Sequence, residues 1–208
     1  MVRKNESLLT NDLVFKKVFT SKENRHLLKK LIETILNMEF ESVVPQETYH
    51  IDTYKMSTEH EKLMKTEVDI LATTKSGEKV TIELQLQNHH FFVERTVYYA
   101  IEAYRSNYGN REMIEMESDN LYSALRKTYG INIVDFHLFH PNSQAIRTFE
   151  LKDRQNHESL ETALNVSLFS VTYFSLKNKN IEVGSDAYNL QQLIETGEVN
   201  SQASAFMQ

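Results

Sequence analysis

Asp69, Glu83 and Gln85 are the residues whose types and spacing best suit chemistry in this 208-residue chain. Between them, Lys75-Ser76-Gly77-Glu78 reads as a tight hairpin turn with Gly77 supplying the positive φ, so residues 66–74 and 79–87 are expected as antiparallel strands. Side chains alternate along a strand. Val80, Ile82, Leu84 and Leu86 therefore share one face of the second strand, and Thr81, Glu83, Gln85 and Gln87 share the other. A short hairpin brings Asp69 alongside Glu83, and three oxygen-bearing side chains can then converge on one point. Two carboxylates with a backbone carbonyl and waters form the hard-oxygen ligand set that Mg²⁺ prefers. An ion held there could polarise a phosphodiester and lower the pKa of a bound water. Spacing alone does not separate this site from a solvated acidic hairpin face, which is the commoner outcome for such a pair.

Elements on both sides must hold the hairpin. Leu13, Val14, Val18, Leu27, Leu28, Leu31, Ile32, Ile35 and Leu36 recur at intervals of three and four, the spacing of helices with one buried face. Thr10, Asn11 and Ser21 offer side-chain oxygens as N-caps, which predicts two helices with a break near Thr20 and Ser21. Residues 49–56, rich in Tyr, Ile and Thr, read as a first strand, followed by a polar stretch over 57–62. After the hairpin, Phe92, Val93, Val97, Ala100, Ile101 and Tyr104 predict a helix over 91–108, closed by Gly109. Strands are expected over 131–139 and 165–176, a short one over 148–151, and a helix near 120–127. Past Lys177, residues 186–195 suit a helix and 196–208 a frayed polar tail.

Composition narrows the classes. With no cysteine a disulfide scaffold is excluded, and 40% hydrophobic with 25% charged residues is too apolar and too mixed in sign for a disordered chain. No run approaches the roughly 18 apolar residues that cross a bilayer. The start, Met1-Val2-Arg3-Lys4-Asn5-Glu6, has no apolar segment behind it, so a soluble, cytoplasmic protein without membrane association is expected. The net charge of −6 argues against a surface that grips nucleic acid all over. Residues 1–30 nevertheless carry eight basic groups against three acidic ones, which suits a basic rim beside an acidic cleft or a solvated helix face. No G-x-S-x-G, Walker A or G-x-G-x-x-G motif is present.

Several blocks in order carry a family resemblance. They are Asn11-Asp12-Leu13-Val14-Phe15-Lys16-Lys17-Val18-Phe19, Val68-Asp69-Ile70, and Gly77-Glu78-Lys79-Val80-Thr81-Ile82-Glu83-Leu84-Gln85. Arg95, Tyr98, Tyr99 and Tyr104 follow, then Tyr129-Gly130-Ile131-Asn132-Ile133-Val134-Asp135-Phe136. From about residue 10 to about 176 this order resembles the PD-(D/E)XK nuclease superfamily and, within it, the recombination-promoting nuclease and putative transposase (Rpn) family. The resemblance implies an α/β, restriction-endonuclease-like core of order αβββαβ, a mixed central sheet flanked by helices. It divides the chain into a nuclease-like domain at 1–177 and a C-terminal extension at 178–208.

The same resemblance implies a Mg²⁺-dependent DNA endonuclease, with Mn²⁺ as substitute ion, linked to recombination or transposon-type DNA transactions. Asp69, Glu83 and the Leu84 backbone carbonyl would be its metal ligands, Asp69, Glu83 and Gln85 its catalytic set, DNA its partner, and a homodimer is left open. Gln85 stands where the superfamily usually has lysine. An amide can accept and donate hydrogen bonds to orient water but can neither supply charge nor take a proton. Arg95 suits a phosphate contact, or alternatively a surface pair with Glu94. Lys16 could reach substrate or simply be solvated. Tyr98, Tyr99 and Tyr104 could stack on bases, although aromatics at helical spacing are more often core. The pairs His89/His90 and His137/His140 lack the companions of a zinc site. The rival reading is a catalytically silent nucleic-acid- or partner-binding module on the nuclease fold.

Overall fold

The structure, a computed structural model, describes residues 8–46, 50–51, 66–114 and 120–197. Its helices and strands are, in chain order, α1 (Asp12–Thr20), α2 (Arg25–Leu36), β1 (Val43–Pro45), β2 (His50–Ile51), β3 (Thr66–Glu67), β4 (Ile70–Thr74), β5 (Lys79–Gln85), α3 (Phe92–Arg105), β6 (Thr128–Val134), β7 (Ile146–Phe149), α4 (Leu160–Leu164), β8 (Phe169–Ser175) and α5 (Asp186–Thr196). Six strands form one sheet in the order β1-β4-β5-β6-β8-β7. The pairs β1·β4, β4·β5 and β7·β8 are antiparallel, while β5·β6 and β6·β8 are parallel. This mixed sheet with flanking helices is the restriction-endonuclease-like α/β architecture. Its core runs α2, the meander β1-β4-β5, α3 and β6.

Local sequence explains the entry. The Asn11 side-chain oxygen accepts the Leu13 and Val14 N–H groups at 3.1 and 3.2 Å, satisfying donors that a helix start leaves open. Helix α1 ends at Thr20, one 3₁₀ turn intervenes, and α2 stops at Asn37, which takes the left-handed conformation at φ 52°. On α2 the buried residues are Leu28, Leu31, Ile32 and Ile35, the stripe that three-and-four spacing requires. They pack with Phe15 and Phe19 of α1 against Ile70, Ala72, Val80, Ile82, Leu84, Ile131 and Ile133 of the sheet. Leu190 and Ile194 of α5, from the segment beyond 177, are fully buried in this same core.

The other sheet face lies under α3. Phe92 and Ala100 pack with Val134, Val171 and Tyr173, and Ala103 with Val68 and Leu71. Gly130 permits the close approach, since a Cβ there would stand 3.2 Å from the Ala100 Cβ. Gly77 makes the hairpin at φ 85°, and a side chain there would also collide with Met113.

Several expectations change. The strand read over 66–74 is two: β3 pairs with β2, and after a bend at Asp69 the chain joins the main sheet as β4. Asp69 therefore sits at a bend, not mid-strand. Of the strand expected over 49–56 the described part is β2; residue 49 and residues 52–65, including the polar stretch, lie outside the described residues. Edge strand β1 precedes it, with Pro45 opposite Ala72, a place where a missing N–H is tolerated. The helix expected near 120–127 is one 3₁₀ turn, Leu121–Ala124, and the strand expected over 165–176 begins only at Phe169, because the short helix α4 before it ends at Asn165 in the left-handed conformation, φ 50°.

Candidate active site

The β4·β5 register pairs Ile70 with Ile82, so the next residues outward are Asp69 and Glu83. There the ladder gives way to side chains that cross. The Asp69 N–H donates to Glu83 Oε1 at 3.0 Å, and the Leu84 N–H donates to Asp69 Oδ2 at 2.8 Å. The bend before β4 is thus capped by the two acids themselves. Each carboxylate accepts a main-chain donor from the other's strand, which fixes both at the end of the meander.

Helix α1 adds a cation and a third acid. Lys16 Nζ lies 3.0 Å from Asp69 Oδ1. Asp12, one turn earlier, lines the same cleft, an opening of about 480 Å³ shared with Asp69, Glu83, Gln85, His89 and Arg95. From α3, Arg95 Nη2 donates to Gln85 Oε1 at 2.6 Å, and its guanidinium stands 5.6 and 5.9 Å from the ring centres of Phe92 and Tyr99. The Arg95 Nε is buried with no partner among the described residues.

Electrostatics mark this end of the sheet as charge-frustrated. Burial, and then the neighbouring Asp69 charge, push the Glu83 carboxyl up to about 8; the Asp69 N–H, Arg95 and Lys16 pull the other way without cancelling them. Asp12 is also raised, by burial and by Asp69, against Lys16. A dication is the species that would let these carboxylates ionise together.

The donor set fits a hard divalent ion. Asp69 and Glu83 supply carboxylate oxygens. Gln85 O accepts the Asp135 N–H on the β6 side, so main-chain alternation turns Leu84 toward Asp69, its carbonyl on the same edge as its bonded N–H. Among the described residues no group of three or more His, Cys, Asp or Glu is arranged around one ion position, so an ion at this pair would need the carbonyl and water to complete its shell.

All six predicted site residues, Asp69, Glu83, Leu84, Gln85, Arg95 and Lys16, line one cleft. Arg95 engages Gln85, not Glu94. Among the tyrosines Tyr99 lines the cleft, Tyr98 is exposed, and the Tyr104 hydroxyl donates to the Ser167 carbonyl. His137 Nδ1 is 2.8 Å from Asn178 Oδ1, and His140 Nδ1 accepts the Asn142 N–H. Sequence reasoning missed Asp12 as a site residue, naming it only within the block Asn11 to Phe19. Its position four residues before Lys16 was the available signal, since that spacing puts both on one helix face.

The architecture and the paired acids at the end of the meander define a nuclease-type α/β domain. Residues 9–198 match the family model described as PD-(D/E)XK nuclease family transposase, and the chain belongs to that family. Neither the curated proteins nor the solved structures compared with it include a match.

Proposed function

We propose that this protein is a divalent-metal-dependent DNA endonuclease, hydrolysing phosphodiester bonds in recombination or transposon-type transactions, with Mg²⁺ as the working ion and Mn²⁺ as its substitute. The observation that carries the reading is the crossed pair of hydrogen bonds joining Asp69 to Glu83 and Leu84. Family membership supports DNA as substrate and a divalent ion as cofactor.

Asp69, Glu83 and the Leu84 carbonyl would hold the ion. When bound, it supplies Lewis-acid polarisation of the phosphate and a lowered pKa for the attacking water. Glu83 must lose its proton to serve, so ion binding releases a proton at neutral pH. Gln85, two residues on and on the same strand face, orients groups at the reacting centre by hydrogen bonding. Lys16 and Arg95 bring positive charge to a cleft that must admit a phosphate in a chain of net charge −6.

Cleavage of supercoiled and linear DNA with and without Mg²⁺ tests the reading. Wild type is expected to cleave only with the ion, and Asp69→Ala or Glu83→Ala to lose cleavage and calorimetric Mn²⁺ binding while still binding DNA. Equal cleavage by all three proteins would locate the activity elsewhere. Metal-independent binding without cleavage of single-stranded, duplex or branched DNA would favour the silent binding module.

A further inference from the structure

Gln85 occupies the place of a lysine, and the structure shows what stands behind it. A guanidinium carries only donors, so the Gln85 atom 2.6 Å from Arg95 Nη2 must be the amide oxygen. With the oxygen taken by Arg95, the other end of the planar amide, Nε2, is the end left for the cleft that Gln85 lines with Asp69 and Glu83. Arg95 is itself held. It sits in the first turn of α3, its N–H bonded to the Phe91 carbonyl at 3.0 Å and its guanidinium beside the rings of Phe92 and Tyr99. Packing thus fixes the arginine, and the arginine fixes which way the amide faces.

We propose that Arg95 is a positioning residue that locks the Gln85 amide with its NH₂ group turned into the cleft, so that Gln85 works as a hydrogen-bond donor to the reacting phosphate and not as an acceptor for water. This deepens, and rests on, the nuclease reading of the same site. The pair does by two residues what one lysine does elsewhere: Gln85 supplies the donor, and Arg95 supplies charge and orientation. Since Arg95 already places a cation against residue 85, a lysine at that position would meet a like charge while the arginine is present.

Two double-mutant cycles test this on the full chain. The first reads stability without metal. Gln85→Glu places a carboxylate against Arg95, and is expected to raise Tm relative to wild type by about 2–4 °C. In the Arg95→Ala background the same change is expected to lower Tm, because the new carboxylate then faces Asp69 and Glu83 unopposed. Equal shifts in both backgrounds would overturn the pairing whether or not the protein cleaves DNA.

The second reads Mg²⁺-dependent cleavage. Arg95→Ala and Gln85→Lys are each expected to lower kcat by about 10- to 100-fold. The double variant Gln85→Lys/Arg95→Ala should recover to above either single variant. Arg95→Lys, which keeps a donor for the amide oxygen, should retain more kcat than Arg95→Ala. Cleavage by wild type with no recovery in the double variant would overturn the proposal and leave the nuclease reading standing. Coupling in Tm without cleavage by wild type would instead sink the nuclease reading, and the catalytic role of the pair with it.

Discussion

Strand β5 carries buried or half-buried acids near both ends, and the two ends treat them differently. Just before its start, Glu78 Oε2 accepts the Thr74 and Ser76 hydroxyls at 2.9 Å, and Glu78 Oε1 accepts the Tyr129 hydroxyl at 3.3 Å. Nearby, Lys127 pairs with Glu161, and both line an opening of about 510 Å³. Every carboxylate named there is met by donors or a cation. At the far end, Glu83 and Asp69 are packed together with Asp12 behind them, and the available donors leave Glu83 raised to about 8. A polar network that serves folding satisfies its members. An end that keeps carboxylates crowded costs stability, which is the pattern expected where binding of an ion compensates.

The largest effect that could break this contrast comes from Glu83→Gln. It preserves shape and the acceptor for the Asp69 N–H while removing the crowded charge. Cleavage should fall at least about a thousandfold, about 4 kcal/mol of transition-state stabilisation. Metal-free Tm at pH 8 should rise. Kinetics and calorimetry of one variant would thus move in opposite directions; a drop in both would make Glu83 an ordinary structural acid.

A second test is pH. The folded state holds on Glu83 a proton that the unfolded chain releases near 4.5. Through the window from about 4.5 to about 8 the folded protein therefore binds more protons than the unfolded one, and metal-free stability falls as pH rises. Asp12, also raised, adds in the same direction. Differential scanning calorimetry should show Tm declining by several degrees across that window. The slope should flatten in Glu83→Gln, and Mg²⁺ at pH 8 should restore much of the loss by binding the native state.

The smallest effect sharpens the contrast from the other end. Tyr129→Phe removes one hydroxyl donor from Glu78. Urea unfolding should show a loss of about 1 kcal/mol, and Tm a drop of about 2–4 °C. Cleavage per folded molecule should be unchanged. A large loss of activity would mean that both ends of the strand serve the reaction.

How much of the site was readable follows from how local each contact is. The Gly77 turn and the alternation of β5 are local, so the facing of Asp69 and Glu83 and the shared face of Glu83 and Gln85 could be read directly. The bend at Asp69 could not: it arises because β3 pairs with β2 while β4 pairs with β5, a competition between two sheets. The polar face of β5 looked like a solvent face. It is covered instead, because Gly130 lets Ala100 of α3 settle onto the sheet and leaves Glu83 only 9% exposed.

By itself the sequence determined the helical character of α1, α2 and α3 and the β4–β5 hairpin, because hydrophobic period and turn chemistry act over a few residues, while the acidic pair was singled out by the family resemblance of its blocks. Only the tertiary structure decided what those acids experience. Lys16 reaches Asp69 from a helix 53 positions earlier in the chain, Asp12 joins the same cleft, and Arg95 turns back onto Gln85. Charge interactions depend on distance and burial, and both are set when α1 and α3 close on the end of the meander.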